Sequence, residues 1–158
     1  MIHKILVADD DAAVRKALAN VLESEGFDVL VAENAREAVR EFIAEPPSLV
    51  LLDINMPDKS GWEVFKMMEA LHPFVPVIVI TARPNQYERA LLDGVDALME
   101  KPLDFVLLLK TIERLVREGE KDRIDRLCRK EFSTEFLSRA TATPSPLPGQ
   151  SPAPGKIK

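Results

Sequence analysis

The sequence predicts an α/β fold, in which a parallel sheet is covered by helices on both faces. Short apolar runs alternate five times with segments whose apolar residues follow helical spacing, as in repeated strand–helix units. The runs are unbroken, which is typical of strands buried on both faces of a parallel sheet. Several runs end in a polar side chain, and open α/β sheets have their sites at the carboxyl ends of the strands.

The order of the strands is predicted from how apolar each run is. Strands are expected at residues 5–8, 28–32, 49–52, 75–80 and 97–100. The third, fourth and first are the most apolar, so they should lie at the centre of the sheet. This fits a flavodoxin-like (βα)5 fold, a doubly wound parallel sheet with strand order 2-1-3-4-5 and right-handed crossovers. Its crevice lies beside the first and third strands.

Several residues mark the ends of the predicted helices and the loops between them. Gly26 and Gly94 are expected to end the first and fourth helices. Pro84 suits the first turn of the fourth helix. Asp11 and Asp58 are expected to be loop charges. The third helix is expected at residues 62–71, and the fifth around residues 105–116.

Composition and charge predict one globular domain with an appendage. The chain has 158 residues, of which 46% are hydrophobic and 30% charged, and its formal net charge is −5. A mildly acidic chain without a basic patch disfavours nucleic acid as a direct partner. The single cysteine, Cys128, cannot form an internal disulfide, and no apolar run approaches the roughly 20 residues of a membrane span. With no signal-peptide pattern at the start, we expect a soluble cytoplasmic protein.

The character of the sequence changes after residue 119. We assign residues 1–119 to the main domain. Residues 120–139 are rich in charge and have apolar residues at helical spacing, so we predict a charged amphipathic helical extension. In residues 140–158 Pro, Ser, Thr, Ala and Gly dominate. Such a segment cannot bury a core and is predicted to be disordered.

Polar groups from four strand ends are predicted to meet at one rim of the sheet. They are Asp9 and Asp10 after the first strand, Asp53 after the third, Thr81 after the fourth and Lys101 after the fifth. Clustered carboxylates repel one another unless a cation lies between them. Mg²⁺ is the natural cation, because it prefers hard oxygen ligands and keeps several waters. With an ammonium and a hydroxyl nearby, the cluster suits phosphoryl transfer, with Asp53 attacking in line.

Four short motifs occur along the chain in a fixed order. They are ILVADDD at residues 5–11, DINMP at residues 53–57 with Gly61, Thr81-Ala82, and Lys101-Pro102. This ordered set resembles the receiver domain of response regulators in two-component signalling. The resemblance covers roughly residues 3–118, and the set is far more specific than any one motif.

The resemblance implies a role for each residue of the cluster. Asp53 would be the phosphoacceptor and a metal ligand. Asp10 would bind Mg²⁺ directly, while Asp9 would act mostly through a metal-bound water. Asn55 would contribute its backbone carbonyl to the metal. Lys101 would pair with the phosphoryl group, and the peptide bond that follows it is often cis in this family.

The resemblance also implies a conformational switch. Thr81 would move to hydrogen-bond the phosphoryl group, and the small Ala82 would let it approach. The family usually has Tyr or Phe three residues before the lysine, where this chain has Leu98. It often has Phe after Lys-Pro, where this chain has Leu103. Output would pass through the face of the fourth helix, fifth strand and fifth helix, to a partner protein or to a second copy in a homodimer.

The leading interpretation is a phosphorylation-controlled switch of a two-component phosphorelay. It would take its phosphoryl group from a histidine kinase or phosphotransfer protein, catalyse only its own phosphorylation and dephosphorylation, and change its binding to a downstream protein. One alternative is a pseudo-receiver that binds partners without being phosphorylated. Another is a Mg-dependent aspartyl-phosphate phosphatase. The dehalogenase type of such enzymes needs a second Asp where this chain has Asn55, which disfavours that alternative.

Overall fold

The computed structural model describes residues 1–129 and 133–138, and this part of the chain forms six strands and six helices. The strands are β1 Lys4–Ala8, β2 Asp28–Ala32, β3 Leu49–Asp53, β4 Val77–Thr81, β5 Ala97–Glu100 and β6 Glu135–Leu137. The helices are α1 Ala12–Ser24, α2 Ala35–Ala44, α3 Gly61–Leu71, α4 Tyr87–Asp93, α5 Phe105–Arg117 and α6 Glu120–Cys128. Strands and helices alternate through α5, which confirms the predicted α/β class. None of the helices described is long and apolar enough to cross a membrane.

The strands form one parallel sheet in the order β2-β1-β3-β4-β5-β6. The predicted order 2-1-3-4-5 is therefore confirmed, and β6 is added beside β5. Every residue of β3 and β4 is buried, because helices cover both faces of the sheet. Residues of α2, α3 and α4 pack on one face and residues of α1 and α5 on the other.

Side-chain caps fix where four helices begin. The capping residues are Asp11 for α1, Asn34 for α2, Ser60 for α3 and Asp104 for α5. Each accepts a hydrogen bond from a backbone N–H of the first turn, which typically stabilises a helix by about 1 kcal/mol. At its other end, α4 is followed by Gly94 in the left-handed conformation with φ of 79°. The predicted end of the fourth helix is therefore confirmed.

The start of α4 differs from the prediction. The helix begins at Tyr87, three residues after Pro84, so Pro84 lies in the preceding turn and not in the helix. Asn85 has a φ of 62°, which is a left-handed conformation that a right-handed helix cannot contain. The helix can therefore start only after this residue.

The prediction of one helical extension over residues 120–139 is wrong for its second half. The helix α6 ends at Cys128, and residues 135–137 form β6. The free edge of β5 explains the difference, because an edge strand has unpaired N–H and C=O groups that another strand can satisfy. The backbone N–H of Glu135 donates to the carbonyl oxygen of Asp96 at 3.0 Å. Residues 140–158, predicted to be disordered, lie outside the described residues.

Candidate functional site

The adjacent strands β1 and β3 bring two carboxylates together at the predicted rim. Asp53 is the last residue of β3, and Asp9 directly follows β1. Both are buried, with 2% and 1% of their surface exposed, whereas Asp10 is exposed. One carboxylate oxygen from each of these three residues lies within 4.8 Å of the other two. The three acidic residues predicted from the strand ends therefore form a single cluster.

Lys101 reaches this cluster from the end of β5, although β4 lies between β5 and β3. Its Nζ is 2.9 Å from Oδ2 of Asp9 and 3.4 Å from Oδ2 of Asp53. Its backbone N–H donates to the carbonyl oxygen of Thr81 at 2.8 Å, and the peptide bond between Lys101 and Pro102 is cis. The ammonium therefore faces both buried carboxylates at once.

Backbone amides orient both buried carboxylates. The N–H of Asn55 donates to Oδ1 of Asp53 at 2.8 Å, and the N–H of Asp11 donates to Oδ1 of Asp9 at 2.9 Å. In each case the second oxygen is left to face Lys101. Oδ2 of Asp9 is buried and pairs with the Lys101 ammonium.

Burial and neighbouring charges alter the pKa values of Asp53 and Lys101. Burial raises the pKa of Asp53 to about 6; the Asn55 amide and Lys101 oppose this rise, and the charge of Asp9 adds to it. Burial lowers the pKa of Lys101, but hydrogen bonds and charges from Asp9 and Asp53 outweigh burial and leave it above its usual value. Two buried carboxylates and one ammonium leave a negative excess that a hard divalent cation would offset. The donor set is thus compatible with Mg²⁺.

The loop after β3 depends on Gly61, the first residue of α3. The N–H of Gly61 donates to the carbonyl oxygen of Ile54 at 3.1 Å, and Asn55 and Ser60 form an antiparallel bridge. A Cβ on Gly61 would lie 2.4 Å from Cα of Ile54 and 2.6 Å from the carbonyl oxygen of Asp53. Since neither backbone atom can move freely, only glycine permits this approach. Gly61 thereby fixes the loop that carries Asn55.

The predicted switch residues lie on β4 and β5, beside the cluster. Asp53 is in register with Ile80, so Thr81 lies one residue further along the neighbouring strand. Thr81 is fully buried, and its Oγ1 accepts a hydrogen bond from the N–H of Arg83 at 2.9 Å. Ala82 is exposed. Leu98 is fully buried on β5 in register with Val79.

Two carboxylates that we expected to be loop charges bind helix starts instead. Asp11 caps α1 through the N–H of Ala13 at 2.9 Å. Asp58 accepts hydrogen bonds from the N–H groups of Ala35 and Arg36 at 2.9 and 3.0 Å, which lower its pKa. An Asp just before a helical pattern is a known capping signal. No local signal identifies Asp58, because it caps α2 from a loop 23 residues away.

Arg15 also belongs to the surroundings of the cluster, and none of the sequence motifs includes it. Its Nη1 donates to the carbonyl oxygen of Asp9 at 2.7 Å, and its Nη2 is 3.7 Å from Oε2 of Glu33. The guanidinium therefore ties the loop after β1 to the loop after β2. Its position on α1, six residues after Asp9, has no distinctive sequence signal.

Comparisons with known proteins agree with this geometry. The family model of the response regulator receiver domain matches residues 5–113. Response regulator RR06 of Streptococcus pneumoniae is 37% identical over 115 residues, covering 72% of this chain and 52% of RR06. The transcriptional regulatory protein CpxR of Escherichia coli is 36% identical over 119 residues, covering 74% of this chain and 50% of CpxR. The chain therefore spans about half the length of these curated relatives.

Solved structures give the same result. A receiver domain protein of Methanospirillum hungatei superposes with a TM-score of 0.73 at 31% identity, covering 77% of this chain and 99% of the other. Response regulator TrrA of Thermotoga maritima, solved in complex with Mg²⁺-BeF, superposes with a TM-score of 0.66 at 32% identity, covering 72% and 99%. By family match, sequence and structure, this chain belongs to the response regulator receiver domain family.

Proposed function

We propose that this receiver domain, residues 1–119, is a phosphorylation-controlled switch in which Asp53 accepts a phosphoryl group from a histidine kinase or phosphotransfer protein. The observation that carries the proposal is the setting of the Asp53 carboxylate. One oxygen is held by the Asn55 amide at 2.8 Å, and the other lies 3.4 Å from Nζ of Lys101. A nucleophile that is buried, oriented and paired with a cation is arranged for attack on phosphorus.

The acidic cluster would hold Mg²⁺. Asp10 and Asp53 would bind it through their carboxylates, Asn55 through its backbone carbonyl, and Asp9 through a metal-bound water. The approach of three carboxylate oxygens to within 4.8 Å of one another, with Asp9 and Asp53 buried, supports a cation here. When bound, Mg²⁺ neutralises negative charge on the phosphoryl oxygens.

Each residue of the site then has its own role in the transfer of the phosphoryl group. An Asp53 oxygen forms a bond to phosphorus while the bond from phosphorus to the donor imidazole nitrogen breaks. Lys101 pairs with an equatorial phosphoryl oxygen. Thr81 leaves the Arg83 amide and donates its hydroxyl to another phosphoryl oxygen, which the exposed, small Ala82 permits. Asp53 must be ionised to attack, and its pKa of about 6 leaves it mostly ionised at pH 7.

The signal would leave through the elements that follow Thr81, and change the affinity for a downstream protein. Leu98 in place of the usual aromatic residue supports one competing function, an interaction module that is never phosphorylated.

CpxR is described as a transcriptional regulatory protein, and it is about twice as long as the matched region. We expect no direct contact of the described domain with nucleic acid, and no catalysis beyond its own phosphorylation and dephosphorylation.

Intact-mass measurement with acetyl phosphate and Mg²⁺ tests the proposal. The wild-type protein should gain one phosphoryl adduct, and Asp53→Asn should gain none. Asp28→Asn is the matched control, because Asp28 is exposed at the opposite end of the sheet. The control should react like wild type. An adduct on Asp53→Asn at the wild-type rate would show that another residue is the acceptor, and no adduct on wild type would favour the interaction module.

A further inference from the structure

Residues 134–137 lie along the edge of β5, between α4 and α5. The register pairs Ala97 with Glu135, Leu98 with Phe136 and Met99 with Leu137. This edge belongs to the face that we predicted for output. In the structure, the chain's own strand β6 covers it.

Contacts at both ends of α4 hold this segment. Oγ1 of Thr134 lies 2.7 Å from the carbonyl oxygen of Val95 and 3.1 Å from that of Ala90, and Thr134 is buried. The Phe136 ring packs edge-to-face on the ring of Tyr87, with centroids 5.8 Å apart. Tyr87 is the first residue of α4, and Ala90 and Val95 lie near its end. The position of β6 therefore depends on the position of α4.

Contacts with α5 complete the site. Leu137 is buried and belongs to the same apolar cluster as Ile112 and Leu115 of α5. Glu135 forms an ion pair with Arg114. Both of these charged side chains are about half exposed, so the ion pair contributes little. Leu137 is thus the side chain of β6 that is buried on this side.

The strand is held weakly compared with the helix that precedes it. It has three residues, it lies at the edge of the sheet, and its Phe136 is 38% exposed. The helix α6 is fastened by Arg123, which forms a buried bidentate ion pair with Asp96. We therefore expect the strand to be displaced more easily than α6.

We propose that the β5 edge between α4 and α5 is a docking site for an extended peptide strand, which residues 134–137 of the chain itself occupy until Asp53 is phosphorylated. Such sites bind the backbone of an added strand and select its side chains through pockets. Here the carbonyl oxygens of Ala90 and Val95 select a hydroxyl, and the apolar cluster of α5 selects a Leu-sized side chain three residues later. The partner strand that fits has the pattern Thr-x-x-Leu.

The regulation of this site rests on the proposed function. Thr81 accepts the N–H of Arg83 in the structure. When Thr81 turns to the phosphoryl group, that hydrogen bond is lost and the turn leading to Tyr87 shifts. Tyr87 then moves relative to Phe136, and residues 134–137 are released from the edge of β5. The family usually has an aromatic residue at the position of Leu98. Here the ring of Phe136 lies beside Leu98, on the neighbouring strand β6.

Peptide binding tests the docking site without phosphorylation. A fluorescent peptide of residues 131–139 would be titrated into full-length wild type and full-length Leu137→Asp. The substitution empties the site, so the variant should bind the peptide about tenfold more tightly than wild type. The same peptide with Leu137→Asp should not bind either protein. Val106→Asp, on the exposed surface of α5, is the control and should bind like wild type.

A second variant covers the case in which Leu137→Asp does not fold. Thr134→Val keeps the side-chain shape and removes the hydroxyl, so it should also bind the peptide more tightly than wild type. If no folded variant binds the peptide more tightly than wild type does, the proposed docking site is wrong.

Amide hydrogen exchange tests the regulation separately. Beryllofluoride with Mg²⁺ should raise exchange at Glu135 and its neighbours about tenfold, while residues 120–128 keep their protection. Unchanged exchange at residues 133–138, together with a response in the loops of Asp10 and Asp53, would overturn the regulation. If the loops of Asp10 and Asp53 also fail to respond, the proposed function is wrong. The docking site would then still be tested by the peptide titration.

Discussion

Asp96 and Arg123 form a buried ion pair that fastens α6 beneath the amino-terminal ends of β4 and β5. Two guanidinium nitrogens of Arg123 lie 2.7 and 3.1 Å from the two carboxylate oxygens, and both side chains are at most 6% exposed. Asp96 also accepts the N–H of Val77 at 2.9 Å and a hydrogen bond from Arg126 at 2.8 Å. Its backbone oxygen accepts the N–H of Glu135. A single residue thus joins the sheet to both parts of the extension.

The first prediction is that Arg123→Ala destabilises the fold strongly. Removing one partner leaves the Asp96 carboxylate buried with less compensation, and such losses typically cost about 3 kcal/mol or more. Urea denaturation should show the loss. Lys121→Ala is the matched control, because Lys121 is exposed on the same helix, and it should change the free energy of unfolding by less than about 0.5 kcal/mol. Equal stability of the two variants would show that α6 is not fastened by this pair.

The central strands and the acidic cluster could be predicted from sequence because they follow local rules. Parallel strands put their carboxyl ends at one rim, so short apolar runs that end in polar residues locate Asp9, Asp53, Thr81 and Lys101 together. No local rule predicts that Arg123 is buried, because its partner lies 27 residues away.

The strand β6 could not be predicted for the same reason. Apolar spacing continues past α6 into residues 132–137, and a three-residue strand has too short a pattern to be distinguished from a helix. The open edge of β5 decides the outcome, and that edge exists only in the folded domain. The Pro84 prediction failed because Asn85 adopts a left-handed conformation that its type permits but does not require.

The second prediction concerns pH. Burial raises the pKa of Asp53 from 3.8 to about 6, so the folded state favours the protonated carboxyl. Without Mg²⁺, the contribution of Asp53 to the free energy of unfolding is largest below pH 3.8 and is lost as the pH rises through about 6. Asp53→Asn removes this dependence. The variant should therefore exceed wild type in stability by on the order of 3 kcal/mol at pH 7.5, and the difference should shrink towards pH 4.

Denaturation of wild type and Asp53→Asn in metal-free buffer, from pH 4 to pH 7.5, measures this difference. Asp28→Asn serves as the control, since Asp28 is exposed at the far end of the sheet. A difference between wild type and Asp53→Asn that stays constant with pH would contradict the raised pKa.

The third prediction is that Mg²⁺ stabilises the fold through Asp10. A ligand that binds only the native state stabilises it by mass action, by about 2.7 kcal/mol at roughly 100 times its Kd. Asp10→Ala removes a direct ligand, so most of the rise in melting temperature on adding Mg²⁺ should disappear. Without metal the variant should melt at or above the wild-type temperature, because carboxylate repulsion is relieved. Thermal melts with and without millimolar Mg²⁺ would be compared, and an undiminished Mg²⁺ response in the variant would contradict the assignment.

The fourth prediction is that Gly61→Ala disturbs the metal-binding loop. The added methyl group would lie 2.4 Å from Cα of Ile54, and backbone shifts of this kind typically cost about 1–3 kcal/mol. The shift would also move Asn55 and weaken the stabilisation by Mg²⁺. Gly119→Ala is the control, since its Cβ would meet only Oδ2 of Asp122, at 3.7 Å. Thermal melts should separate the two variants, and equal Mg²⁺ responses would show that the loop tolerates the methyl group.

The last prediction is that Leu98→Tyr separates phosphorylation from output. Leu98 is fully buried on β5, in register with Val79 on one side and Phe136 on the other. A tyrosine ring is too large for this space, and overpacking is relieved most easily at the weakly held edge strand.

Adduct formation with acetyl phosphate should stay near the wild-type rate, because the residues around Asp53 are unchanged. Amide exchange at residues 133–138 should rise, and the 131–139 peptide should bind no more tightly than to wild type, because its own Phe136 would meet the same tyrosine ring. Leu98→Met keeps the side-chain volume and should behave like wild type in each measurement. A Leu98→Tyr variant that keeps wild-type exchange at residues 133–138, or that loses adduct formation, would contradict this separation.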